Sequence, residues 1–160
     1  MAGRLLSELK QTKPFTTLET EAMLNLHKTA DVFTQEIDAV LKPHGISGTQ
    51  YNVLRILRGA EPTGLKCVEI GERMVTHDSD ITRLLDRIEK RGFIVRARED
   101  KDRRVIRTRI SAAGLDLLVR LDTPVEEASR RMIGHLGRER LTQLIGLLEA
   151  AREFPKELSK

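Results

Sequence analysis

The sequence has few of the features that would mark a secreted, disulfide-bonded or membrane-spanning protein. It contains one cysteine, so no disulfide can form within the chain, and this usage fits a reducing compartment. No run approaches the roughly eighteen apolar residues of a membrane-spanning helix, and the N-terminal segment lacks the apolar core of a signal peptide. We therefore expect a cytoplasmic protein that makes no membrane contact.

Aromatic residues are also scarce, with no tryptophan and one tyrosine among 160 residues. A core must therefore be built from leucine, isoleucine, valine and alanine, which favours a mainly helical protein. The length suits a single compact domain over residues 1–160. The sequence pI of about 9.5 fits an acidic partner such as nucleic acid, although many soluble proteins share that value.

Motifs for catalysis, cofactors or metals are missing as well. The chain has no phosphate-binding loop, dinucleotide fingerprint or catalytic triad pattern, so we expect neither an enzyme nor a cofactor. We expect no metal site, because the four histidines lack ligand spacing: His27, His44, His77 and His135. Cys67 invites a redox hypothesis, but its stripe with Ile70 and Met74 favours a buried, inert thiol.

Apolar periodicity and capping residues divide the chain into helices and a ribbon. Helical spacing runs from Leu18 to Leu41 and stops at Pro43 and Gly45, while residues 1–14 fit a short helix or a loose arm equally well. Ser47 and Gln50 form a capping-box pattern for a second helix through Leu57. Further helices are predicted over 65–74 and 79–91, the latter ended by Gly92.

The C-terminal part is predicted to begin with two strands. The first starts at Phe93-Ile94-Val95, and its partner spans 105–110. Ser111 is placed to cap the next helix, the pair Thr123-Pro124 predicts a kink or break, and helix continues to about Phe154.

The excess positive charge of the chain is concentrated in this ribbon. Residues 91–109 contain eight basic and three acidic residues, whereas the whole chain carries a net charge of only +4. Arginines at alternate positions project to one face of each strand: Arg96 and Arg98, then Arg107 and Arg109. Phosphate binding explains both the charge and its sign, whereas a solvated edge that discourages aggregation explains the charge alone.

The helix over 79–91 has one apolar and one polar face. Ile81, Leu84, Leu85 and Ile88 share the apolar stripe. The other side carries Ser79, Thr82, Arg83, Asp86, Arg87 and Lys90. Such a helix can enter a DNA major groove, although it could also be a surface helix with an ion pair between Asp86 and Lys90. The basic ribbon that follows favours DNA.

Three segments carry a resemblance to a known family. GTQYNVLRIL, IGERMVTHDSDITRLLDRIEKRGFIVR and DRRVIRTRISAAG are similar to the second helix, helix-turn-helix and wing of the MarR family of bacterial transcriptional regulators. The resemblance covers almost the whole chain. It implies a winged helix-turn-helix fold, over 47–110, within an intertwined homodimer held by helices at 15–45 and 111–156.

The resemblance also implies roles for individual residues. A regulator of this kind, more often a repressor, binds a pseudo-palindromic operator in double-stranded DNA. The family's recognition positions fall on Ser79, Asp80, Thr82, Arg83 and Arg87. The charge pattern itself predicts further basic contacts at Lys90, Arg96, Arg98, Lys101 and Arg103. In the wing, Asp102 braces the hairpin and Arg104 enters the minor groove.

Two further expectations follow from the resemblance. A small aromatic or phenolic effector is expected in a crevice for which Met23, His27, Tyr51 and Arg55 are candidate lining residues, although packing or a surface position explains each of them equally well. The first turn, His77-Asp78-Ser79-Asp80, is more acidic than is common in the family, so Asp80 either caps the helix or accepts a hydrogen bond from cytosine. The same acidity leaves an alternative open, a winged-helix protein-interaction module that has lost DNA binding.

Overall fold

The structure, a computed structural model, describes residues 4–78, 80–98 and 105–153. These residues are mainly helical, with one small two-stranded antiparallel sheet, as the sequence predicts. The chain divides into two compact units, Met1–Gly48 and Thr49–Lys160. None of the described helices has the length and low charge needed to cross a membrane.

The first unit contains the helices α1 (Arg4–Glu8) and α2 (Leu18–Leu41). The Thr17 hydroxyl caps α2 by accepting the Thr20 amide at 3.2 Å. The predicted bounds of α2 are confirmed, because a 3₁₀ turn over Lys42–His44 replaces the α-helix and Gly45 then adopts a φ of 68°. Several apolar side chains of α2 are left facing solvent, among them Leu18, Met23, Leu26 and Val32.

The second unit holds the remaining elements around one apolar core. They are α3 (Gly48–Arg58), α4 (Cys67–Arg73), α5 (Ile81–Lys90), β1 (Ile94–Arg98), β2 (Ile106–Ile110), α6 (Ala112–Ile133) and α7 (Gly137–Ala151). The element order is that of a winged helix-turn-helix. Among the fully buried side chains are Val53, Leu54, Leu57, Ile70, Leu84, Leu85, Ile88, Ile94, Leu117, Leu118 and Leu121.

The sheet is extended by one residue from the loop before α4. Strands β1 and β2 pair in antiparallel register, with Ile94 opposite Ile110 and Arg96 opposite Thr108. On the other edge of β2, Thr108 exchanges both backbone hydrogen bonds with Leu65, at 2.8 and 3.0 Å. Thr108 is accordingly buried, and the base of the ribbon is anchored to the helical part of the unit.

The junction between β2 and α6 is closed by Ser111 and Gly114. The Ser111 hydroxyl accepts the Gly114 amide at 3.1 Å, which confirms the predicted cap, and donates to the Gly92 carbonyl at 2.6 Å. A β-carbon at Gly114 would clash with the Phe93 carbonyl oxygen. The Ser-x-x-Gly pattern is thus explained by a cap and a close backbone approach.

Of the kink or break predicted at Pro124, the break is wrong. Helix α6 continues through Pro124 to Ile133, and the chain breaks instead over the 3₁₀ turn Gly134–Leu136. Leu121 and Ala128, on either side of Pro124, are both fully buried. Their packing holds the helix together despite the amide hydrogen that proline lacks. The turn after α6 ends at Gly137, whose φ of 74° suits glycine.

A bidentate ion pair joins the end of α3 to the middle of α6. Arg58 donates to the two carboxylate oxygens of Asp122 at 2.7 and 2.9 Å. This hydrogen bonding lowers the pKa of Asp122 below its usual range. The pair keeps two helices of the core in a fixed relation, with both side chains still partly exposed to solvent.

Candidate nucleic-acid interface

Helix α5 turns its apolar face inward and its polar face outward. Leu84, Leu85 and Ile88 are at most 2% exposed, while Ile81, in the first turn, is partly covered. The exposed side chains of the helix include Thr82, Arg83, Arg87 and Lys90. The apolar stripe therefore buries one face of α5 and leaves a row of hydroxyl and cationic groups at the surface.

The acidic turn before α5 is organised by hydrogen bonds to the backbone. Asp80 accepts the Arg83 amide at 3.0 Å, and this confirms its role as the N-cap. The Asp80 amide in turn donates to the Asp78 carboxylate at 2.9 Å. The second carboxylate oxygen of Asp80 lies 3.5 Å from Nε of Arg83, whose side chain is 79% exposed. Ser79 lies outside the described residues.

The turn between α4 and α5 is fixed from α3. The Val75 amide donates to the Asn52 side-chain oxygen at 3.0 Å, and Gly71 lies beside Ile81. Cys67 is partly exposed, with Sγ 3.9 Å from the Thr82 hydroxyl, so the expectation of a buried thiol is wrong. Cys67 is the first residue of α4 and of the apolar stripe, and neighbouring residues shield it from solvent only in part.

The two arginines of β1 have different surroundings. Arg96 donates through Nε to a Glu89 carboxylate oxygen at 2.9 Å, and its Nη2 contacts both Glu89 and Asp86. Its side chain is 25% exposed. Arg98, two residues along the strand, is exposed. The suggested pair of Asp86 with Lys90 is therefore replaced by one with Arg96.

The Arg96 hydrogen bonds shift the ionisation of Glu89. They hold the pKa of the Glu89 carboxyl below its usual range, with the neighbouring Asp86 carboxylate opposing the shift. The same contacts, with Glu89 as the larger contribution, raise the pKa of Arg96. Glu89 and Arg96 consequently stay fully charged near neutral pH, as an ion pair between α5 and β1.

The arginines of β2 lie on the opposite face of the ribbon from those of β1. In the observed register, Arg107 is opposite Ala97 and Arg109 is opposite Val95. Their guanidinium groups approach backbone carbonyls of the loop before α4, those of Gly64 and Thr63, each at 3.4 Å. The alternation along each strand is as predicted, but the four arginines do not form one basic face.

The tip of the ribbon falls outside the described residues. This applies to Lys101, Asp102, Arg103 and Arg104, so the proposed brace and minor-groove probe stay predictions. The described wing residues consist of the two strands, whose basic side chains are Arg96, Arg98, Arg107 and Arg109.

The four residues suggested for an effector divide between the two units. Met23 and His27 are exposed on α2. Tyr51, on α3, is buried and accepts a hydrogen bond from Arg55 at 3.1 Å, with the guanidinium 5.8 Å from the ring centre. The crevice stays a prediction. Within the described ranges, no three His, Cys, Asp or Glu side chains gather as metal ligands.

Comparison with known proteins identifies the family. The family model described as "MarR family" matches residues 46–106, which cover the helix-turn-helix and β1 and end at the first residue of β2. The crystal structure of a MarR transcription factor from Planctomyces limnophilus is 38% identical, covers 85% of this chain and 98% of that one, and has a TM-score of 0.65. The chain belongs to the MarR family. It is therefore a member of a family of DNA-binding transcriptional regulators, not of enzymes.

A more distant relative agrees with this assignment, and a more distant solved structure shares the fold. The homoprotocatechuate degradative operon repressor of Escherichia coli is 28% identical over 110 residues, which are 69% of this chain and 73% of the relative. A cysteine-to-serine mutant of MarR from E. coli, crystallised with operator DNA, is 20% identical with a TM-score of 0.75. It covers 85% of this chain and 99% of its own, and at that identity the likeness concerns the fold. This MarR-family protein thus has relatives that include repressors.

Glu89 is a site residue that the sequence pattern did not reveal, and Asp86 was predicted to pair with Lys90 rather than with Arg96. A glutamate in the last turn of a helix faces the negative end of the helix dipole, so its presence there needs another reason. The Gly92 turn supplies it, because it brings β1 back alongside α5 and places Arg96 next to Glu89. The unfavourable helix position of Glu89 was the signal that could have revealed the contact.

Proposed function

We propose that this MarR-family protein is a sequence-specific regulator, a repressor, that binds a pseudo-palindromic operator as a homodimer. The carrying observation is the outward face of α5, where Thr82, Arg83 and Arg87 are exposed on the side opposite the buried Leu84, Leu85 and Ile88. Arginine can pair with both acceptors of guanine, and threonine with several base edges. Helix α5 is therefore assigned as the recognition helix that enters the major groove.

The other residues of the interface are assigned by exposure. Lys90 and Arg98 are exposed cations suited to phosphate contacts, and Asp80 sets the start of the recognition helix. Beyond the described residues, we assign Ser79 to the recognition surface and Lys101, Asp102, Arg103 and Arg104 to the wing tip. There Arg104 would enter the minor groove, where negative potential is strong.

The homodimer is proposed from apolar side chains that the described chain leaves exposed. Helix α7 buries none of its residues, and Ile145 and Leu147 are 55% and 70% exposed. Helix α2 buries only Leu41. These helices lie in the segments 15–45 and 111–156 proposed for dimerisation. Twofold symmetry then places two half-sites about one helical turn apart on the operator.

Release by a small effector completes the proposal. The E. coli relative is named as the repressor of a homoprotocatechuate degradative operon, which supports an aromatic or phenolic ligand class. Met23, His27, Tyr51 and Arg55 are the proposed contacts. Binding would shift the population between DNA-competent and incompetent arrangements of the dimer. We propose a cytoplasmic location and no catalytic activity.

A second candidate is a winged-helix protein-interaction module without DNA binding. The acidic turn favours it, because Asp78 and Asp80 place two carboxylates at the start of α5, where DNA phosphates would approach. The exposed basic side chains along the rest of α5, with Arg98 on β1, favour the first candidate.

Selection of genomic fragments by the purified protein separates these two functions. We expect enrichment of a few fragments that share an inverted repeat, with half-site centres about 10–10.5 base pairs apart or a multiple of that spacing. Protection of both half-sites from cleavage checks the twofold geometry. Recovery of fragments without a shared sequence, or of none above background, would favour the interaction module.

A further inference from the structure

Arg96 joins the recognition helix to the wing through two carboxylates. Its guanidinium donates to Glu89 through Nε and Nη2 and to Asp86 through Nη2, and both carboxylates belong to α5. Asp86 and Glu89 are three residues apart, so they project from the same side of the helix. One planar guanidinium thus connects the last two turns of α5 to the middle of β1.

The backbone of Arg96 takes part in the same contact. Thr108, opposite Arg96, uses its amide and carbonyl to pair with Leu65 on the far edge of β2. Arg96 and Thr108 therefore form a pair that is not hydrogen-bonded to each other, in which the backbone groups of both residues point away from the partner strand. The Arg96 amide accordingly points to the open edge of β1. Glu89 meets it there, accepting the Arg96 amide through Oε1 at 3.1 Å. Glu89 therefore holds both the strand edge and the side chain.

The charge balance of this cluster argues against Arg96 as a phosphate ligand. Two carboxylates surround one guanidinium, and the Arg96 side chain is 25% exposed. A phosphate approaching it would meet net negative charge. Arg98 lies on the same face of the same strand but is exposed, and it is not part of the carboxylate cluster. The two arginines of β1 therefore have different roles.

We propose that Arg96, Glu89 and Asp86 form a clamp that fixes the wing relative to the recognition helix, with Arg96 as a positioning residue rather than a DNA contact. This inference rests on the proposed function. Helix and wing must reach adjacent grooves of one duplex at the same time. Fixing their relative position reduces the conformational freedom that is lost when both contacts form, which raises affinity for the correct site.

Glu89→Gln tests the clamp, because the clamp and general electrostatics predict opposite changes in operator affinity. The change removes a negative charge from the DNA-binding lobe, so general electrostatics predicts tighter binding to any duplex. The clamp predicts weaker operator binding instead, by about tenfold, which corresponds to about 1.4 kcal/mol. Glu72→Gln is the matched control, because Glu72 is an exposed carboxylate of α4 outside the cluster. It should not weaken binding.

Arg96→Lys separates geometry from charge. Lysine keeps the positive charge but cannot donate to two carboxylates through a planar fork. The clamp predicts that Arg96→Lys also weakens operator binding about tenfold, and that the double variant with Glu89→Gln is no worse than either single variant. A phosphate contact predicts near wild-type binding for Arg96→Lys and independent effects in the double variant.

The ratio of affinities for the selected operator and a scrambled duplex is the decisive readout. The clamp predicts that the variants lose operator affinity while binding to the scrambled duplex is kept, whereas unfolding loses both. Thermal unfolding followed by circular dichroism checks that the variants fold. Tighter operator binding by Glu89→Gln, or unchanged binding by Arg96→Lys, overturns the clamp while leaving the proposed function intact. If the wild-type protein binds no duplex, the proposed function fails and the positioning role fails with it.

Discussion

Asp80 has two opposed effects at the start of the recognition helix. Its carboxylate accepts the Arg83 amide at 3.0 Å and so satisfies one of the free amides of the first turn. The same negative charge lies where a phosphate would approach α5, and it also attracts the Arg83 guanidinium, 3.5 Å away. The Asp80 carboxylate therefore stabilises the helix but lowers its affinity for DNA.

Asp80→Asn separates the two effects. Asparagine is an equally good N-cap, so the free energy of unfolding should change by less than about 0.5 kcal/mol. Loss of the charge should strengthen binding to both operator and scrambled duplex, because the repulsion of phosphates is removed. Denaturant unfolding and fluorescence anisotropy measure the two quantities.

Asp80→Ala is the control for the cap, and it should cost about 1 kcal/mol of stability. A change of base preference at a single operator position in Asp80→Asn would show instead that this carboxylate accepts from a cytosine.

The role of Asp80 could be predicted from the sequence, whereas that of Arg96 could not. The cap by Asp80 depends on neighbours along the chain, so local pattern was enough to propose it. Arg96 depends on which strand face meets α5, and local spacing suggested Lys90 as the partner of Asp86 instead. Only the β-turn at Gly92 and the strand register bring Arg96 to Glu89.

Among the elements, the start of α6 shows how backbone approach constrains sequence. Ser111 bridges the Gly114 amide and the Gly92 carbonyl, and Gly114 passes so close to Phe93 that a β-carbon does not fit. The wing and α6 are thereby attached at the same point where the recognition helix ends. A change at Gly114 should consequently disturb the whole lobe.

We expect Gly114→Ala to lower the free energy of unfolding by about 1–3 kcal/mol, because the added methyl group overpacks against backbone. Gly59→Ala is the control, since a β-carbon there makes only ordinary contacts, at 3.6 and 3.7 Å, and Gly59 lies outside the proposed dimerisation helices. Urea unfolding at fixed protein concentration compares them. Equal effects of the two changes would show that the Phe93 approach does not limit the fold.

The element boundaries were predicted well where caps and periodicity agreed. Ser111 and Gly92 each lie at an observed boundary, and the bounds of α2 follow from its apolar spacing. Pro124 does not end α6, because the packing of Leu121 and Ala128 outweighs the loss of one backbone hydrogen bond. The opposite faces of Arg96 and Arg107 could not be predicted, because strand alternation does not give the register between strands.

At the scale of the whole molecule, exposed apolar helices and a localised basic segment define two different surfaces. The exposed basic residues of α5, together with Arg98 of β1, suit DNA, while the apolar side chains of α7 suit a second copy of the chain. Resemblance to a family predicted both, whereas composition alone indicated only an acidic partner. The described residues supply the exposure values on which the dimer can be tested.

Leu147→Glu should shift the protein from dimer to monomer. It replaces an apolar side chain, 70% exposed in the single chain, by a carboxylate that would be buried in the proposed interface. Val68→Glu is the matched control: Val68 is also 70% exposed but lies on α4, outside the proposed dimerisation helices. Sedimentation velocity at several concentrations compares the two. A dimer that survives Leu147→Glu unchanged would remove α7 from the proposed interface.

The salt dependence of operator binding tests the central proposal most directly. Affinity of the wild-type protein for its selected operator is measured from about 50 to 200 mM salt. A dimer that contacts several phosphates predicts a straight line of log affinity against log salt, with a slope near −0.9 for each contact. A slope near zero, or no duplex binding at the lowest salt, would contradict the assignment of α5 and the wing to DNA.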